Sequence, residues 1–192
     1  MNTNDSLEVK NNRAKKMMLW FGMISMSMTF AGLTSAYVVS SSRSDWIQQI
    51  ELPFAFTLST LLIIFSSGSF YGALKMIQSQ KIKAAQGILM LTLAIAIGFI
   101  YFQFQGFAAI IDQGYYFTGP ESSITTSYLY VLVLLHLLHL TAGIVIVLNV
   151  FFKTLKGKYL DGNTLGFELA VTFWHFLDLL WVYLFLFVSF YG

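Results

Sequence analysis

The chain has 192 residues, of which 57% are hydrophobic, 17% aromatic and only 10% charged. An ordinary soluble domain carries about 25% charged residues, so this chain cannot cover a water-facing surface and its solvent is lipid. A formal net charge of +2 is too small to point to nucleic acid, and the absence of cysteine excludes disulfide frameworks, thiolate metal sites and cysteine nucleophiles.

The chain opens with a basic tail, residues 1–16, that carries Lys10, Arg13, Lys15 and Lys16. Its first part, Met1 to about Asn12, is expected to be disordered. Crossing the hydrocarbon layer takes a helix of about 20 apolar residues. Met17 to Val39 is the first such run and contains no charge. It is longer than the roughly 7–15 apolar residues of a cleaved signal peptide, so it reads as a span. The second run is Pro53 to Leu74, and the third is Ala84 to Gln105. The connection from Gln113 to Ser127 holds Gly114, Gly119 and Pro120, and is the one expected to move. The fourth run, Tyr128 to Phe152, is interrupted only by His136 and His139. The fifth, Glu168 to Tyr191, has His175 and Asp178 inside it. Long continuous runs without period-two alternation mean helix, which also satisfies its own backbone in lipid. The expected fold is therefore an all-α integral membrane bundle of five transmembrane helices, one domain over residues 17–192.

Orientation follows from the basic residues. Lys10, Arg13, Lys15 and Lys16 share a side with Lys75, Lys81 and Lys83 and with Lys153, Lys156 and Lys158, while Arg43 is the one cation on the other side. The N-terminus is expected in the cytoplasm and the C-terminus outside. Trp20, Trp46, Tyr115, Tyr116 and Tyr128 sit near span ends, where aromatic belts form.

Small residues at helical spacing set how closely helices approach in lipid. Gly68 and Gly72 form a G-x-x-x-G pair, and Gly32 with Ala36 and Ala94 with Gly98 share the spacing. They are expected to pack within the bundle or against a partner subunit. The intramembrane polar set is His136, His139, His175 and Asp178. An Asp at the helix centre costs about 2.5–3.5 kcal/mol on insertion scales, so these groups should face protein. The members of each pair are three apart and share a helix face. Counted at about 1.5 Å per residue, His139 lies roughly 20 Å and Asp178 roughly 16 Å from the same side. They would meet if the last two helices pack side by side. Three readings follow: an interhelical hydrogen-bond network, which is preferred, a proton or ion path, and a metal or haem site. The residues alone do not name an enzyme class.

The last span reads Trp174-His175-Phe176-Leu177-Asp178-Leu179-Leu180-Trp181, with Glu168 six residues before its first Trp. This closely resembles the closing signature of subunit III of the haem–copper respiratory oxidases. His136-Leu-Leu-His139-Leu-Thr-Ala-Gly143 is similar to that family's His-Gly-x-His-x-x-x-Gly, with Leu137 for the usual Gly. Weaker matches are Phe30-Ala-Gly-Leu33 with Ala36-Tyr37, Leu52-Pro53 with Ser66-Ser67, and Gly98 with Gln103. Many relatives have two further helices before these five, so the chain resembles the shorter bacterial form. Relatives often carry a membrane carboxylate where this chain has Met26, and no role for that group transfers.

The resemblance implies a redox-silent subunit of a cytochrome c oxidase, in the bacterial cytoplasmic (inner) membrane, with no active site of its own. Haem and copper would sit in partner subunits, and this chain would hold no metal or cofactor beyond bound phospholipid. It would contact oxidase subunit I directly, assemble with subunit II and small subunits, and support proton uptake. A respiratory supercomplex is compatible with that. His136, His139, Glu168, Trp174, His175, Asp178 and Trp181 would then be a packing and polar network, not metal ligands. Alternatives are the same subunit in a quinol oxidase or nitric oxide reductase-type complex, a stand-alone haem b carrier, and a small transporter.

Overall fold

A computed structural model of the chain describes residues 3–43, 46, 52–117, 123–159 and 164–191. Among them are five helices and no strand: α1 (Thr3–Ser40), α2 (Phe54–Gln78), α3 (Ile82–Asp112), α4 (Ile124–Leu155) and α5 (Leu165–Tyr191). All five are long and apolar enough to cross a membrane.

Each helix extends past its apolar run at one or both ends, because hydropathy marks only the part inside hydrocarbon. α4 starts at a cap that the sequence reading did not use. Ser123 Oγ accepts the Thr126 backbone N–H at 3.1 Å, and Thr126 Oγ1 accepts the Ser123 N–H at 3.2 Å. This reciprocal pair satisfies donors left over at a helix start. α2 ends where Gln80 takes a positive φ of 60° and turns the chain into α3. The expected disorder up to Asn12 is corrected from Thr3 onward, where α1 is helical; Met1 and Asn2 lie outside the described residues. Leu7, Glu8, Lys10, Arg13 and Ala14 all favour helix and contain no Gly or Pro. They only have to propagate a helix already nucleated by the apolar segment.

Four helices close a ring in which α2 packs on α3, α3 on α4, α4 on α5 and α5 back on α2. α1 lies outside that ring and touches only α4 and α5 among the described residues. Its inward stripe is Met23, Phe30, Thr34 and Tyr37, a spacing of seven, four and three that follows one helix face. Phe30 packs with Leu132, Leu180 and Leu184, and Met23 with Phe173 and Leu177. Thr34 Oγ1 and the Tyr183 hydroxyl lie 2.9 Å apart and fix the register of α1 on α5. At the far end Trp46 meets the Tyr37 ring edge-on at 4.7 Å.

The small-residue expectation is revised. A Cβ on Gly32, Gly68 or Gly72 would meet nothing within 4 Å, so these positions face away from the bundle. Close approach occurs instead at Gly106, where a Cβ would lie 2.7 Å from the Phe56 ring, and at Gly143, where it would lie 2.7 Å from Leu177. The connection expected to move is tied down at both described edges. Thr126 Oγ1 donates to the Tyr116 carbonyl, Ser127 Oγ to that of Phe117, and the Tyr130 hydroxyl to that of Tyr115. Gly119 and Pro120 lie outside the described residues.

Candidate functional site

Trp174, His175, Asp178 and Trp181 of α5 gather at its interface with α2. Trp174 and Trp181 are seven residues apart, so both indoles project from the same face of α5. Trp174 Nε1 donates to Ser66 Oγ at 3.0 Å, and Trp181 Nε1 donates to Thr60 Oγ1 at 2.9 Å. Thr60 passes its own proton to the Phe56 carbonyl at 2.7 Å, which leaves its lone pairs for the indole. Both tryptophans are buried. A buried indole N–H needs an acceptor, and α2 supplies two.

Between these anchors Ser67 Oγ and His175 Nδ1 share a hydrogen bond. Ser67 also lies beside the Asp178 carboxyl. Neither carboxyl oxygen of Asp178 has a well-formed hydrogen bond among the described residues, although the residue is only 4% exposed. His175 is half-buried, and its ring lies 6.2 Å from that of Tyr71, over which the Lys75 ammonium sits at 4.9 Å. Ser67, Tyr71 and Lys75 on α2 thus run beside Asp178 and His175 on α5 as one polar seam.

α2 binds α3 by the same means. Gln103 Nε2 donates to Ser59 Oγ at 2.9 Å, and Ser69 Oγ and Thr92 Oγ1 lie 2.7 Å apart. Hydroxyls of α2 thus accept the N–H groups of Trp174, Trp181 and Gln103. Ser66 and Ser67 entered the sequence reading only as a weak family match, and the roles of Ser59, Thr60 and Ser69 were missed. The available signal was density: five Ser or Thr residues fall between Ser59 and Ser69 in an otherwise apolar span.

The histidines of α4 part company. His136 points into the ring core, its centroid 5.2 Å from Trp181 and 6.4 Å from Phe99. It is fully buried, and neither ring nitrogen has a partner among the described residues. His139 turns toward α1, its ring edge-on to Phe30 at 5.8 Å and its Nδ1 2.7 Å from the Leu135 carbonyl of its own helix. The expected meeting of Asp178 with His139 does not occur. α4 and α5 do pack side by side, but Asp178 faces α2 while His139 faces α1.

Glu168 stands apart from the network. It accepts the Thr164 hydroxyl at 2.9 Å in the first turn of α5. Negative charge there is favoured by the helix dipole. Met26 is half-buried against the Met23, Phe173 and Leu177 cluster. Among the described residues no three His, Cys, Asp or Glu groups gather as a metal would need. Chemically, the arrangement spends tryptophan and serine hydrogen bonds on locking helices together.

Residues 16–192 match the family described as cytochrome c oxidase subunit III. The chain is similar to subunit 3 of the cytochrome bo(3) ubiquinol oxidase of Buchnera aphidicola, 26% identical over 98% of this chain and 92% of the relative. It is 26% identical to cytochrome c oxidase subunit 3 of Bacillus sp. strain PS3 over 95% of this chain and 86% of the relative. Subunit 3 of the Pseudomonas putida bo(3) ubiquinol oxidase is 30% identical over 84% of this chain and 74% of that one.

Proposed function

We propose, from the premise that this chain belongs to the cytochrome c oxidase subunit III family, that it is the redox-silent subunit of an oxygen-reducing, proton-pumping complex. Its task is to hold the flank of the metal-bearing subunit I, to retain lipid there, and to keep that subunit taking up protons through many turnovers. Subunit II and small subunits complete the assembly. Haem and copper belong to the partners, and this chain carries none.

The observation that supports this reading is the use of the motif residues. Trp174, Trp181 and His175 are all committed to hydroxyls of α2, so the most specific part of the sequence serves packing. His136 and Asp178 are enclosed, which leaves no open cleft in which a substrate would meet them. The excess of basic residues on the side shared by Lys16, Lys81 and Lys156 supports an N-terminus in the cytoplasm, with the chain in a bacterial inner membrane. Cytochrome c is the electron donor we favour. Relatives named as ubiquinol oxidase subunits keep quinol as the second reading.

Purified complex with and without the chain tests the proposal. Without it, the haem spectrum and initial rate should match those of the intact enzyme, and activity should then decay faster during turnover. Immediate loss of the haem spectrum makes the chain an assembly factor for the metal centres, and unchanged decay removes the protective role.

A further inference from the structure

The α2–α5 seam asks for more hydrogen bonding than the described residues provide. His175 lies ten residues, about 15 Å, along α5 from Leu165, in the middle third of the helix. Its Nδ1 is taken by Ser67. Its other ring nitrogen, on a half-buried side chain at the bundle surface, has no partner among the described residues. Hydrocarbon offers that nitrogen nothing, and an intramembrane ionisable or strongly polar group faces protein or a water-filled cavity. Beneath it Asp178, 96% buried by its 4% exposure, leaves both oxygens unpartnered beside the same Ser67. One serine proton cannot serve both neighbours. When Ser67 donates to Asp178 it must accept from His175 Nδ1, and the outward ring nitrogen is then a bare acceptor.

Next to this acceptor the helix surface is cut away. Gly68 and Gly72 follow Ser67 on the outward side of α2, and neither has an atom within 4 Å of where its Cβ would be. Exposed apolar side chains, Ile64 and Phe65 on α2 and Leu179 on α5, border the strip. A glycine strip lets another helix backbone come close, and a polar group at that depth rewards a donor on the arriving helix. A lipid tail satisfies the first demand and fails the second.

We propose that this seam, Ser67, Gly68, Gly72 and His175 with Asp178 beneath, seats a transmembrane helix of the haem- and copper-bearing partner, which presents a hydrogen-bond donor to His175. The inference rests on the functional reading above and specifies which face of the chain meets the partner. The outward faces of α1 and α3 then face lipid or other subunits.

The test uses the assembled complex. A photoreactive p-benzoylphenylalanine replaces Tyr71 in the seam or, as control, Tyr101 on the outer face of α3; both tyrosines are about half exposed, at 47% and 59%. Irradiation should join the Tyr71 probe to the haem-bearing chain and leave the Tyr101 probe unjoined to it. In parallel, His175→Phe and the double variant Gly68→Leu/Gly72→Leu should lower the amount of this chain retained per haem after detergent washing by tenfold or more. His175→Gln, which restores an amide acceptor, should recover most of it. Membrane abundance of each variant before solubilisation separates lost docking from lost folding. Haem missing from the wild-type preparation overturns the oxidase assignment and this inference with it. A haem-bearing preparation in which only the Tyr101 probe captures the haem-bearing chain, or in which His175→Phe and the leucine pair are retained like wild type, overturns the seam alone.

Discussion

Trp181 donates its indole N–H to the Thr60 hydroxyl at 2.9 Å, in a ring core where the same indole meets Phe99 edge-on and lies tilted against His136. The contact joins α5 to α2, and the Trp174–Ser66 bond repeats it nearer the start of α5. Two equivalent bonds on one face hold the helices against both sliding and rotation.

A double-mutant cycle on this pair measures what the bond contributes. Interhelical hydrogen bonds in lipid average about 0.6 kcal/mol, with a maximum near 1.7. Trp181→Phe and Thr60→Val should couple by about that much in detergent unfolding of the chain. A coupling indistinguishable from zero would mean that shape alone orients Trp181.

Gly143 of α4 packs directly against side chains of α5. An added Cβ would lie 2.7 Å from Leu177 Cδ1 and 3.3 Å from the Trp174 ring. The leucine end can swing away, but the indole is held by Ser66. Gly143→Ala should therefore destabilise by about 1–3 kcal/mol, the usual cost of overfilling a packed core. Gly32→Ala, with nothing within 4 Å, should leave the unfolding midpoint unchanged or raise it slightly, since alanine is the better helix former. Equal effects at the two sites contradict the packing described.

His136 is enclosed by rings and hydrogen-bonds to nothing among the described residues. A buried polar group left unsatisfied costs about 1–3 kcal/mol. His136→Phe keeps an aromatic ring in the site and removes that cost, so the chain should be as stable as wild type or more so. Marked destabilisation in the same unfolding assay contradicts an orphaned imidazole.

Met26 lies in the contact of α1 with α5. Met26→Glu would put a carboxylate into that apolar cluster near the middle of the span, at a cost comparable to the about 2.5–3.5 kcal/mol for Asp at a helix centre. Immunoblots of membranes should show less of the chain, and activity per assembled complex should not rise. A gain in sustained turnover would assign the site a latent proton-handling role.

The five spans were legible because a hydrophobic run of sufficient length has one stable outcome in lipid. The partners of the polar groups were not, because they depend on how each helix is rotated about its axis. Three residues advance a helix by about 300°, leaving roughly 60° between His136 and His139. That angle is small enough to call one face, yet wide enough to send one ring into the core and the other to α1. Depth made His139 the expected partner of Asp178, while rotation pointed Asp178 at Ser67. The glycines show the same limit. Spacing marks Gly68 and Gly72 as a surface fit for close approach, and nothing in the spacing says whether the approaching helix belongs to the same chain.

The docking of α1 on α4 and α5 alone sets an order of events during synthesis. α1 leaves the ribosome before α2 to α5, yet its hydroxyl contact at Thr34 is with Tyr183, 149 residues later. At about 5–20 residues per second, roughly 7–30 seconds separate the two. Until α4 follows, α1 stands in the bilayer without either partner, while α2 and α3 pair with each other. The earliest made of these five helices is thus among the last to be fully packed. A nascent chain cut short before α5 leaves the ring of α2, α3 and α4 open and α1 held by α4 alone, which gives membrane quality control a clear mark of an unfinished molecule.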